Sequence, residues 1–193
     1  MKHICVYCGS SPGVLPEFAE VARSLGASLA RRGIGLVYGG ANRGTMGMLA
    51  DAALAEGGEV LGVIPHGLVA FEVAHPGLTR LEIVETLHER KARMTELCDA
   101  FICLPGGHGT HDELFEALTW LQLGIHHKPI GVVNVRGFYD HLLRHLDHSR
   151  EMGFIRPEHR AMLLADPDHE ALIQRLVEFE PPQRPEWHAA ARP

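Results

Sequence analysis

Gly106-Gly107-His108-Gly109-Thr110, directly after the apolar run 100–104, is the stretch of this chain best suited to holding an anion. Glycines let a backbone approach a ligand closely. Thr110 is placed to cap the helix that the following residues predict. The free N–H groups of that helix's first turn, together with its dipole, would favour a phosphate. No Gly-Lys-Ser/Thr follows and no GxGxxG is present, so this is neither a Walker A loop nor the dinucleotide fingerprint. The same residues also fit a tight strand-to-helix turn with no ligand. Glu113 stands three residues beyond Thr110. By spacing alone that is a capping box, with the carboxylate bonded back to the Thr110 N–H. The alternative use is chemical. A carboxylate kept ionised by a helix N-terminus suits ribose binding, oxocarbenium stabilisation or water activation, and suits a general acid poorly.

Arg90 and Lys91 fall in His88-Glu89-Arg90-Lys91-Ala92-Arg93, at the start of a predicted helix. Such a charge run usually marks a solvated face. Both residues would nevertheless lie near a strand's carboxyl end, on the same rim as the glycine turn, and an Arg fork binds phosphate or carboxylate bidentately. Lys91 is also one of only three lysines, with Lys2 and Lys128, in a chain that carries 14 histidines. A second turn in 36–49, LVYGGANRGTMGML, repeats the strand, Gly-Gly, Gly-Thr pattern through Gly40, Gly44 and Thr45, as a weaker candidate. Cys5 and Cys8 form a C-x-x-C, but Cys98 and Cys103 do not make a second half-site, so buried thiols are expected rather than zinc or redox chemistry. The histidines form no metal box: His108 and His111 are three apart, His126 and His127 are adjacent, and no H-E-x-x-H occurs. His108 lies inside the glycine turn, where its protonation would alter phosphate affinity.

These residues need elements to hold them. Apolar runs at 3–8, 34–38, 60–64, 81–84, 100–104 and 129–133 read as strands. Helical patterns cover 16–32, 45–55, 87–98, 110–123, 137–151, 157–164 and 167–178. Near-continuous apolar strands alternating with helices predict a single-domain α/β fold over 1–180: a Rossmann-like, doubly wound parallel sheet flanked by helices. Both glycine turns then sit at strand carboxyl ends, where such folds bind ligands. Residues 181–193 are Pro-rich and expected to form a flexible tail.

The composition is that of an ordinary globular protein: 193 residues, 46% hydrophobic and 22% charged, with net charge −6. An acidic balance argues against non-specific nucleic-acid binding and against a polybasic membrane surface. No apolar stretch is long enough for a transmembrane helix, and the first residues read as a strand rather than a signal peptide, so a cytoplasmic location is expected.

LVYGGANRGTMGMLADAAL, LHERKARM and LPGGHGTHDELFEALTWLQLGIHHKPIGVVN, in that order and spacing, resemble the LOG (Lonely Guy) family. The resemblance runs from the CVYCGSS start to about residue 178. It implies a Rossmann-like homodimer that hydrolyses the N-glycosidic bond of a nucleoside 5′-monophosphate, with no cofactor and no metal. By the same resemblance Arg90 and Glu113 match the catalytic pair, and Gly106, Gly107, His108, Gly109 and Thr110 match the phosphate cradle beside Lys91. Glu72 and Thr119 match positions lining the nucleotide pocket; nothing in their spacing singles them out. The alternatives are a nucleotide-binding module without turnover, a plain AMP nucleosidase with a housekeeping role, and the family's older label, lysine decarboxylase, which would need a Schiff-base lysine. Molybdenum-cofactor binding, known among relatives of this fold, has no local support in these residues.

Overall fold

The computed structural model describes residues 1–69 and 73–180, so Glu72 and the 181–193 segment lie outside the described residues. Seven parallel strands make one sheet in the order β4-β3-β2-β1-β5-β6-β7. They are β1 (His3–Tyr7), β2 (Gly35–Tyr38), β3 (Val60–Pro65), β4 (Arg80–Val84), β5 (Ala100–Cys103), β6 (Ile130–Val133) and β7 (Leu163–Asp166). Between them run α1 (Pro16–Arg31), α2 (Gly44–Ala55), α3 (Leu87–Leu97), α4 (His108–Gln122), α5 (Asp140–Glu151), the single turn α6 (Pro157–Arg160) and α7 (His169–Val177). The order reverses between β1 and β5, which is the doubly wound arrangement.

The period of two along β1 shows why the sheet is covered on both sides. Ile4, Val6 and Cys8 pack with Leu25, Leu49 and Leu172, from α1, α2 and α7. Cys5 and Tyr7 pack with Met94, Leu114 and Leu146, from α3, α4 and α5. Every residue of β2, β3, β5 and β6 is buried. Strands apolar on both faces can only be stable between two helical layers.

Two elements differ from the expectation. The helix expected over 157–164 is only α6, after which 163–166 forms the edge strand β7, Leu163 pairing with Ile130. Three apolar residues and an aspartate carry no period of their own, and only the free edge of β6 decides their pairing. Pro65, expected to stop its strand, is instead its last residue and pairs with Val84.

α1 and α2 cross backbone to backbone. A Cβ at Gly26 would lie 2.2 Å from the Leu49 carbonyl oxygen and 3.2 Å from the Ala53 nitrogen. Gly26→Ala should therefore lose about 1–3 kcal/mol by overpacking, more than the roughly 1 kcal/mol that alanine gains as a helix former. A lowered Tm checks this; an unchanged one would mean that α2 yields without cost.

Candidate active site

The carboxyl ends of β1 and β5 open into a cavity of about 170 Å³. Cys8, Gly9 and Ser10 line it from the end of β1, Met46 from α2, Arg90 from α3, and 107–110 with Glu113 from α4. It is smaller than the roughly 300 Å³ at which pockets begin to enclose a whole drug-sized ligand, so it suits a phosphate and a sugar rather than a complete nucleotide.

α4 starts two residues before the expected position. Gly107 is its N-cap, in extended backbone, and Thr110 is the third helical residue. The Thr110 side chain instead fills the space beside Gly106, where a Cβ would come within 2.1 Å of Thr110 Oγ1. Thr110 is buried, whereas Gly107, His108 and Gly109 are exposed. Gly107 has no side chain with which to complete a capping box, and Glu113 lines the cavity from the next turn. The first-turn amides of α4, with the positive end of its dipole, border the same cavity. Beneath this turn the Tyr139 hydroxyl donates to the Leu104 carbonyl at 2.7 Å, fixing the end of β5; burial raises the phenol well above its ordinary range, so it remains a donor.

A capping box does form, on α3: Thr86 Oγ1 accepts from the Glu89 amide at 3.1 Å, and Glu89 Oε2 accepts from the Thr86 amide at 3.3 Å. It sets the helix so that Arg90 and Lys91 are both buried, against the expectation of a solvated face. Arg90 Nη2 donates to the Gly39 carbonyl at 3.0 Å. Lys91 turns the other way. Its Nζ lies 2.9 Å from Asp112 and 2.9 Å from Glu116 of α4, and it does not line the cavity. Burial alone would lower the Lys91 ammonium, but hydrogen bonds and attraction from those two carboxylates outweigh it and raise the group above the usual lysine range.

The second glycine turn is packed inward rather than offered to a ligand. Thr45 is buried, its hydroxyl donating to the Gly9 carbonyl at 3.0 Å, and only the neighbouring Met46 reaches the cavity. Thr119 is exposed on the far face of α4, beside Phe115 and Trp120 in an open groove. The structure thus brings together Arg90, Glu113 and the 107–110 turn, and places Lys91 and Thr119 elsewhere. Gly106 stands behind the turn and borders the adjoining cavity. Sequence reasoning missed Gly9, Ser10 and Met46; the available signal was that the first strand, being central, must end on the same rim. Cys8 is a buried thiol, as its place in the first strand predicts. It also forms part of the wall, and burial, with a smaller contribution from Glu113, pushes it up to about 12, which leaves it neutral and unreactive. Among the described residues no group of three or more His, Cys, Asp or Glu could hold a metal, and no helix is long and apolar enough to cross a membrane.

Comparison with known proteins places this chain in a family. The family described as "Possible lysine decarboxylase" matches residues 46–176. LOG7 of Arabidopsis thaliana, a cytokinin riboside 5′-monophosphate phosphoribohydrolase, is 46% identical over 180 residues, covering 93% of this chain and 83% of that one. LOGL5 of Oryza sativa subsp. japonica, a probable enzyme of the same name, is 45% identical over 181 residues, covering 94% and 74%. Among solved structures, TM1055 superposes with a TM-score of 0.70 at 21% identity, covering 93% of this chain and 100% of that one. The molybdenum cofactor carrier protein of Chlamydomonas reinhardtii superposes with a TM-score of 0.69 at 16% identity, covering 92% and 99%, a likeness of fold alone. On the matched residues and the identity to curated relatives, the chain belongs to the family described as possible lysine decarboxylase, the LOG family of phosphoribohydrolases.

Proposed function

We propose that this protein hydrolyses the N-glycosidic bond of an adenosine 5′-monophosphate, N6-modified or plain, releasing the free base and ribose 5-phosphate. The observation that carries the reading is Glu113 in one cavity with Arg90 and the N-terminus of α4. A site built only to bind phosphate gains nothing from a carboxylate beside it, since like charges repel. A carboxylate there is useful when positive charge develops on the ligand, as it does when the C1′–N bond loosens toward an oxocarbenium ion. The 107–110 amides hold the phosphate, with His108 at its edge and Gly106 behind it. The ribose is thereby oriented over Glu113, which stabilises the cation or takes a proton from the attacking water. Arg90, seated on Gly39, holds the phosphate or the carboxylate in register.

Lysine decarboxylation, which the family's description names, needs a lysine that becomes a neutral amine for a Schiff base. Lys91 is committed to two carboxylates, Lys128 donates to the Thr95 carbonyl, and Lys2 precedes β1, at the opposite end of the strand from the cavity. Glu72 is proposed, by resemblance, to line the nucleotide pocket. Thr119 is proposed on the same resemblance to line that pocket, and the protein is proposed to be a homodimer: Thr119 lies beside the exposed Phe115 on α4, a face that a second copy would cover. A cytoplasmic location is proposed on the four cysteines, all free and buried.

Base release over a panel of nucleoside monophosphates and their dephosphorylated ribosides tests the reading. Monophosphates should be preferred by about 10²-fold or more in kcat/KM, because phosphate binding orients the reacting bond. Equal turnover of the ribosides would remove the cradle from the mechanism, and nucleotide binding with no base released would favour a binding module.

A further inference from the structure

The motif resemblance puts Lys91 at the phosphate, yet its ammonium joins two helices. On α3, Arg90 faces the cavity and the next residue, Lys91, faces α4. On α4, Glu113 faces the cavity, while Asp112 just before it and Glu116 one turn after it face Lys91. The bridge therefore starts one residue from each member of the catalytic pair. The backbone of α3 lies mainly against β3 and β1 rather than against α4; Met94 of α3 shares the core with Leu114 of α4, and Lys91 adds a polar tie between the two helices next to the cavity residues. The Lys91 side chain is 9% exposed, whereas Asp112 is 65% exposed and Glu116 23%. A buried ammonium with two carboxylates has little freedom to re-pair, and breaking such a pair leaves uncompensated charge behind.

We propose that Lys91, with Asp112 and Glu116, is a positioning device that sets the distance between Arg90 and Glu113, and that Lys91 is not a phosphate ligand. The proposal rests on the phosphoribohydrolase reading, because the geometry it maintains is that of the hydrolytic pair. An ammonium is well suited to such a bridge, since its three rotating donors reach two carboxylates on successive helical turns.

Base release should be measured with AMP and an N6-alkylated AMP for the wild type, Lys91→Met, Lys91→Arg and the double variant Asp112→Asn/Glu116→Gln, with a thermal melt of each. A lost positioning contact should appear in turnover: Lys91→Met and the double variant should each lose about 10-fold or more in kcat while KM changes by less than about 3-fold, since a misplacement of about 1 Å can cost 10²-fold. Lys91→Arg, which keeps a cation between the same carboxylates, should recover most of that loss. The double variant changes side chains that reach the surface of α4, so it carries the test if Lys91→Met does not fold. A 10-fold rise in KM for Lys91→Met at unchanged kcat would make Lys91 a phosphate ligand after all and overturn the proposal. So would near-wild-type kcat in both Lys91→Met and the double variant. A wild type that releases no base from any monophosphate overturns the hydrolase reading instead, and the proposal falls with it.

Discussion

Glu113→Gln is expected to fold, to bind nucleoside monophosphate about as well as the wild type, and to lose about 10²-fold or more in kcat. The substitution removes one charge and almost no volume, and Glu113 is only half-buried, so stability should change little. Binding should survive because the groups proposed to hold the phosphate are the amides of 107–110, which the substitution leaves in place. Removing a negative charge from the cavity should even favour a bound dianion slightly. Turnover should not survive, because a neutral amide neither stabilises an oxocarbenium ion nor accepts a proton from water. Separate measurement of nucleotide affinity by calorimetry and of base release by chromatography distinguishes the two effects. Near-wild-type turnover would exclude Glu113 from the chemistry and return it to the structural role that its spacing from Thr110 implies.

That spacing shows where sequence reasoning reaches its limit. Thr110 and Glu113 have the separation of a capping box, and a local pattern cannot tell which residue is the cap. The structure decides it through packing: Thr110 is drawn against Gly106, Gly107 takes the cap, and the helix begins at His108. The genuine capping box, Thr86 with Glu89, has the same spacing but stands at the head of a charge run that hides it. Fold class and element order are legible because apolar runs bounded by Gly and Pro recur through the chain, and parallel topology forces the glycine turns to one rim. β7 is not, because three apolar residues and an aspartate next to a short helix carry no period. Arg90 and Lys91 are adjacent in sequence and look alike there, yet successive helical positions point about 100° apart, and that rotation separates a cavity residue from an interhelical bridge. Motif resemblance names both; only the geometry distinguishes what each one touches.

Gly39→Ala should be nearly as damaging to activity as a change in the catalytic pair, without altering any side chain that reacts. The backbone at Gly39 does not have a positive φ, so alanine can adopt it. A Cβ there would, however, fall 1.9 Å from Arg90 Nη2 and 3.0 Å from its Cζ, with Met46 Sδ at 3.3 Å. The guanidinium would have to leave the Gly39 carbonyl, to which it now donates at 3.0 Å. A long side chain can make that move at small cost to the fold, but a buried cation cannot take up an equivalent position elsewhere in the cavity wall. The expected result is a Tm within a few degrees of wild type and a fall of about 10²-fold in kcat/KM. Arg90→Lys should fall by a similar factor, because an ammonium keeps the charge but loses the planar fork. If Gly39→Ala turns over normally while Arg90→Lys does not, the charge geometry at the substrate matters but the Gly39 contact does not. If both turn over normally, the cavity needs only the carboxylate and the helix N-terminus, and Arg90 serves the fold.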